Sequence, residues 1–196
     1  MSRTRPKAAG RSAIRIIGGR WRGSRLEVLD KPGLRPTPDR VRETLFNWLA
    51  MDIPGARVLD CFAGAGGLGF EAASREAQQV VMVDQDAQVI QRLQLHGERL
   101  GADNVEFYRG DILDYLQQAD GCFDLVFIDP PYADAALRTL SLRKLIEREL
   151  LCRGAKVYLE WPVDEQLSVD FAHLDWIRQK TAGQVNYAVA QSNRSG

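Results

Sequence analysis

The sequence predicts an α/β protein with a doubly wound, mostly parallel seven-stranded sheet. A C-terminal antiparallel hairpin closes the sheet, and a small β-hairpin and helix appendage precedes it. Three observations predict this. From residue 57, short runs of β-branched and large apolar residues alternate with stretches of helical period, the pattern of strands and crossover helices. Four of those runs lead into a carboxylate, at Asp60, Asp84, Asp111 and Asp129. Finally, the run Phe123-Asp124-Leu125-Val126-Phe127-Ile128 stops at Asp129-Pro130-Pro131-Tyr132. Neither proline can donate to a sheet ladder, and Pro130 turns Asp129 away from helix, so a buried strand ends there.

In chain order, residues 1–13 form a basic tail rich in Arg, Lys, Ala, Gly and Ser, with the composition of a disordered segment. Residues 14–17 read as a strand, Gly18-Gly19 as a turn, and residues 21–28 as a second strand broken at Gly23. A connector follows. Thr37 then reads as an N-cap with Pro38 at the first helical position. That helix runs to about residue 50 with Val41, Leu45, Trp48 and Leu49 as its apolar stripe, leaving Arg40 and Arg42 off it. Pro54-Gly55 closes the appendage, so residues 14–54 and 55–196 read as two units.

In the second unit, residues 58–61, 80–83, 105–108, 123–128 and 156–160 read as the parallel strands. Residues 86–100 read as a helix with Val89, Leu93 and Leu100 on one side and Gly101 as its stop. Residues 112–116 give a short helix and residues 135–151 a longer one. Residues 176–180 and 184–190 flank Ala182-Gly183 as the last hairpin.

At 196 residues and 45% hydrophobic content, the chain can bury a core of ordinary size. No apolar run reaches the length of a membrane span, and the basic N-terminus lacks a signal-peptide apolar stretch. Cys61, Cys122 and Cys152 have no metal-type spacing, no metal site is expected, and reduced thiols in a cytoplasmic protein are the expectation. The net charge of zero divides unevenly. The first 50 residues hold twelve basic and four acidic residues, hence +8, and the remainder carries −8. Basic residues gathered in one segment suit a polyanion. Arg15, Arg20, Arg22 and Arg25 surround Trp21, which fits contact with phosphates and unstacked bases, although a solvated edge hairpin would carry the same charges.

The chemistry concentrates at two stretches. An ionised Asp129 offers only acceptors, the turn carbonyls add more, and Tyr132 supplies a flat face. That set suits a planar substrate with an amino group, such as a nucleobase. Gly64, Gly66 and Gly69 spell the dinucleotide fingerprint between a strand and a helix, with Asp84 about 20 residues on as a ribose partner. A nicotinamide cofactor would fit these glycines. Against it, Asp60 places a carboxylate where a pyrophosphate would lie, whereas S-adenosylmethionine brings an ammonium and a sulfonium.

Asp-Pro-Pro-Tyr after a buried strand resembles the motif of amino-methylating, S-adenosylmethionine-dependent enzymes. Leu59-Asp60-Cys61-Phe62-Ala63-Gly64-Ala65-Gly66 resembles the cofactor loop of class I methyltransferases. Residues 14–23, 33–46 and 182–185 are similar to the RsmD family, which methylates guanine N2 in bacterial small-subunit ribosomal RNA.

The resemblance implies catalytic roles for Asp129, Pro130, Pro131 and Tyr132. It implies cofactor contacts at Asp60, Phe62, Ala63, Gly64, Gly66, Asp84, Gln85, Asp111 and Ile112. RNA contacts are expected at Arg15, Arg20, Trp21, Arg22, Arg25, Arg35, Thr37, Arg40 and Arg42. It further implies 16S ribosomal RNA in an assembly intermediate as partner and a monomer acting in the cytoplasm. Asp84 stands where many relatives have Glu, and Ala65 where Ser is common.

Three alternatives share parts of this pattern. Adenine-N6 DNA methylation uses the same tetrapeptide but calls for a target-recognition domain. Protein glutamine methylation usually has Asn in place of Asp129 and gives the basic hairpin no purpose. A non-catalytic RNA-binding assembly factor would have no need of Asp60, Asp84 and Asp129 together.

Overall fold

Five parallel strands carry the fold, and each delivers its C-terminal end to one edge. The computed structural model describes residues 13–31, 36–130, 134–165, 167 and 173–193. The elements are β1 Ala13–Arg15, β2 Arg25–Glu27, α1 Asp39–Trp48, β3 Arg57–Asp60, α2 Gly67–Ser74, β4 Gln79–Asp84 and α3 Ala87–Leu100. They continue with β5 Val105–Arg109, α4 Ile112–Gln118, β6 Phe123–Ile128, α5 Ala135–Glu147, β7 Leu151–Pro162, β8 Leu174–Ala182 and β9 Val185–Ser192. The seven-stranded sheet has the order β5-β4-β3-β6-β7-β9-β8. Its first five strands are parallel, and β9 joins β7 antiparallel.

Alternation along the strands builds two cores. Val58, Val80, Met82, Leu125, Phe127 and Tyr158 face one layer, which also holds α1, α2, α3 and the N-terminal hairpin. Leu59, Val81, Val83, Val126, Ile128, Val157 and Leu159 face α4 and α5. The hairpin and α1 thus share a core with the sheet: Ile14, Ile16, Leu26, Val41, Leu45 and Phe46 belong to the first layer.

Helix α3 follows its sequence signals closely. Asp86 caps it by accepting from the Gln88 N–H at 2.8 Å, and Gly101 ends it at φ 62°. His96 ties it to the hairpin, its ring Nε2 lying 3.1 Å from the Glu27 carbonyl oxygen.

Several expectations require correction. The N-terminal strands are only three residues each, because residues 17–21 bond to α2 instead of to a partner strand. Glu71 accepts the N–H groups of Ile17 and Gly18 at 2.7 and 2.8 Å. Ser74 accepts the Trp21 N–H on its hydroxyl at 2.9 Å and the Arg20 N–H on its carbonyl at 2.8 Å. Gly19 runs at φ 73°, and a Cβ there would lie 1.9 Å from the Ser74 carbonyl oxygen.

The helix expected over residues 135–151 ends at Glu147, since Glu149 turns left-handed at φ 57° and Leu151 opens β7 opposite Phe123. That register sets Cys122 beside Cys152, and the two form a disulfide with Cα atoms 5.0 Å apart. Only Cys61 is a free, buried thiol. Among the described residues, no helix is long and apolar enough to cross a membrane. Nor does any group of three or more His, Cys, Asp or Glu there form a metal site.

Candidate active site

At the C-terminal edge, β3 and β6 lie side by side while their crossovers leave toward opposite flanks of the sheet. In such sheets a crevice forms there. It is a cleft of about 970 Å³. The loop after β3 makes one wall. It folds tightly, with the Ala63 N–H bonded to the Val83 carbonyl at 2.9 Å and the Gly66 N–H to the Ala63 carbonyl at 2.7 Å. Gly64 and Gly66 take φ of 49° and 80°, and Gly66 caps α2. A Cβ on Gly66 would come within 2.7 Å of both Leu93 and Phe70, so a side chain would push the loop off α2 and α3.

Four carboxyl groups set the electrostatics. Asp60 is 2% exposed and accepts the Gly69 N–H at 2.9 Å. Burial pushes its carboxyl up to about 7, against the Gly69 hydrogen bond and with help from the Asp129 charge. Asp84 accepts the Gly64 N–H at 3.0 Å and the Asp86 N–H at 2.9 Å, and burial raises its carboxyl as well. Asp129 is pushed up to about 6 by burial, opposed by the Thr37 hydroxyl and the Arg138 charge. Glu160 is pushed up to about 8 by burial and by the Asp129 charge. Carboxyls raised in this way ionise more readily beside a cationic guest and offer a phosphate no counter-charge, which counts against a dinucleotide.

The cleft gathers most of the sequence-derived residues. Asp60, Phe62, Ala63 and Gly64 line it from the β3 loop, Asp84 and Gln85 from β4, Asp111 and Ile112 from α4, and Asp129 and Pro130 from β6. Asp111 also caps α4 by accepting the Leu113 N–H at 2.7 Å. Gly66 lies behind the wall rather than on it. Pro131, Tyr132 and Arg35 lie outside the described residues.

Of the expected RNA contacts, Thr37 and Arg40 line the cleft, whereas Arg15, Arg20, Arg22 and Arg25 are exposed elsewhere on the hairpin. Thr37 is not a helix cap: Pro38 holds that position, and the Thr37 hydroxyl donates to Asp129 at 3.3 Å. Arg42 cannot reach RNA. It is fully buried between Asp39 at 2.6 Å and Glu71 at 3.8 Å. Trp21 is also withdrawn from solvent, packed edge-to-face against Phe70 at 6.4 Å with the Arg20 guanidinium over its ring at 4.3 Å.

Sequence reasoning missed Glu160 and the β8–β9 turn from Thr181 to Val185, which closes the far side of the cleft. The signal that marked Asp129 was available for Glu160, a carboxylate after the apolar run Val157-Tyr158-Leu159.

This arrangement is shared with known proteins. The family model described as conserved hypothetical protein 95 matches residues 14–191. The chain is 42% identical over 192 residues to ribosomal RNA small subunit methyltransferase D of Escherichia coli K12, which covers 98% of this chain and 96% of that protein. The chain belongs to the RsmD family. Its Haemophilus influenzae relative of the same name is 40% identical, over 95% of this chain and 97% of that one. The solved structure of Escherichia coli yhhF superposes with a TM-score of 0.83 at 41% identity, over 94% of this chain and 100% of that one. RsmD-family membership makes this chain a methyltransferase.

Proposed function

We propose that this RsmD-family chain transfers a methyl group from S-adenosylmethionine to the exocyclic N2 amine of a guanine in 16S ribosomal RNA. In this reading it acts as a cytoplasmic monomer on a partly assembled small subunit. The observation that carries the reading is Asp129, a carboxylate at the end of the switch-point strand that lines one cleft together with the glycine loop. The names of its relatives and the basic N-terminal quarter support RNA as the substrate.

The residues present fit the cofactor. Asp84 keeps lone pairs on both oxygens after accepting two backbone N–H groups, enough for a pair of ribose hydroxyls. Asp60 and its carboxylate neighbours suit the cofactor's ammonium and sulfonium. Bound there, S-adenosylmethionine supplies a methyl group activated by its positive sulfur.

The chain's part is alignment and charge. The lone pair on guanine N2 is delocalised into the ring, so the nitrogen attacks poorly when planar. Asp129 and the Pro130 carbonyl accept its N–H groups, hold the base in line and favour a pyramidal nitrogen. As N2 gains positive charge, ionised Asp129 stabilises it and takes the released proton, directly or through water. The base reaches this depth only when flipped out or unpaired, with Tyr132 available for stacking. The test is tritiated-methyl transfer to small subunits and RNA from cells lacking the enzyme, with nucleoside analysis of the product. Labelled N2-methylguanosine is expected, and label on adenosine or on protein alone would refute the reading.

A further inference from the structure

Asp129 has a neighbour the mechanism above does not use. Ile128 of β6 pairs with Leu159 of β7 in parallel register, so Asp129 and Glu160 are the next residues out on adjacent strands. Alternation puts both on the face that carries Phe127 and Tyr158. Both line the cleft, and parallel neighbours lie about 4.8 Å apart, close enough for two carboxyls to meet different atoms of one planar base. Glu160 is 5% exposed and accepts the Tyr158 hydroxyl on Oε1. Among the described residues no cation pairs with its carboxyl. Arg138 donates instead to its backbone carbonyl at 3.1 Å and pairs with Glu165.

We propose that Glu160 reads the ring edge of the target guanine, accepting from N1–H and donating to O6, while Asp129 holds the N2 amine. This rests on guanine N2 being the methylated group. Burial raises both carboxyls, the Asp129 charge raises Glu160 further, and the Arg138 charge lowers Asp129 alone, so the proton the pair holds near neutrality sits on Glu160 and Asp129 is the ion. A neutral carboxylic acid presents a carbonyl and an O–H side by side, the complement of the N1–H and C6=O of guanine. Adenine held by its N6 amine would offer a lone pair at N1 and only C–H beyond it, so it gains one hydrogen bond where guanine gains two. The titratable and charged groups around Glu160 are Tyr158 and Asp129 on its own face, cross-strand Tyr187, and Arg138 from α5.

The experiment compares wild type, E160Q and E160A on small subunits from cells lacking the enzyme, following N2-methylguanosine, with S-adenosylhomocysteine affinity as the check of an intact fold. Glutamine offers the same carbonyl and a donor, so E160Q should keep kcat/KM within about 3-fold at pH 7. E160A loses both hydrogen bonds and should fall about 10–100-fold with S-adenosylhomocysteine affinity little changed. Wild type should lose activity relative to E160Q as pH rises through about 8, because ionised Glu160 loses its donor and repels O6. Ionisation of the base itself affects both enzymes equally. E160Q as damaged as E160A, E160A within 2-fold of wild type, or superimposable pH profiles would overturn the assignment. Absence of N2-methylguanosine from wild type itself would instead remove the guanine reading on which it stands.

Discussion

Removing the Glu71 carboxylate should detach the N-terminal hairpin from the sheet. Glu71 is fully buried on α2 and accepts from Ile17 N–H at 2.7 Å, Gly18 N–H at 2.8 Å and Arg75 Nε at 2.8 Å, with buried Arg42 at 3.8 Å. Glu71→Ala leaves two backbone donors unpaired and Arg42 without that counter-charge. Each buried donor left without an acceptor costs about 1–3 kcal/mol, and breaking a buried ion pair about 3–5 kcal/mol. These overlap, so we expect a loss of about 3–5 kcal/mol, a large share of the roughly 5–15 kcal/mol that holds a domain together. At about 2–4 °C per kcal/mol for a chain of this size, Tm should fall by roughly 6–20 °C. Glu71→Gln retains one acceptor and should lose about half as much. Thermal unfolding followed by circular dichroism, with and without S-adenosylhomocysteine, measures it. A Glu71→Ala protein within about 1 kcal/mol of wild type would show that the hairpin contributes little to the shared core.

Other perturbations separate charge from shape. Asp60→Asn should stabilise the ligand-free protein at pH 8 and weaken S-adenosylmethionine binding. A carboxyl raised from 3.8 to about 7 contributes stability that is complete below about pH 4, declines as pH rises, and is gone above about 7. The Tm advantage of the variant should therefore shrink steadily below pH 7 and vanish only near pH 4, and an advantage of the same size at pH 4 and pH 8 would refute it. Asp84→Ala should weaken cofactor binding by about 1.5–3 kcal/mol in calorimetry, and unchanged affinity would remove its ribose role. Substituting exposed Arg15, Arg22, Arg25 or Arg40 by Ala should flatten the slope of log K for RNA against log salt by about 0.7 each if each meets a phosphate. Slopes that all match wild type would leave these cations without an RNA contact.

What the sequence made legible depended on how local the cause was. The sheet and three site carboxylates could be read because each is an apolar run followed at once by Asp60, Asp84 or Asp129, and helix α3 because its cap and stop are its own neighbours. The hairpin could not. Its backbone bonds end on Glu71 and Ser74, more than 50 residues away, and no periodicity reports such a partner. Thr37 before a proline carried a cap signal, yet its hydroxyl serves Asp129, 92 residues on. The charge of Arg42 suggested surface, and only the packing of α1 on α2 turns it into a buried partner of Glu71. Cys122 and Cys152 are 30 residues apart and meet only through the β6–β7 register.

The central claim is that Asp129 holds the amine being methylated, and Asp129→Ala tests it most directly. Single-turnover methyl transfer to small subunits from cells lacking the enzyme should show N2-methylguanosine forming at least about 100-fold more slowly than with wild type, the scale for losing one key polar group from an active site. S-adenosylhomocysteine should bind nearly as well as before, because the ribose and sulfonium contacts are assigned to Asp84 and Asp60. A variant that forms N2-methylguanosine at close to the wild-type rate would contradict the account.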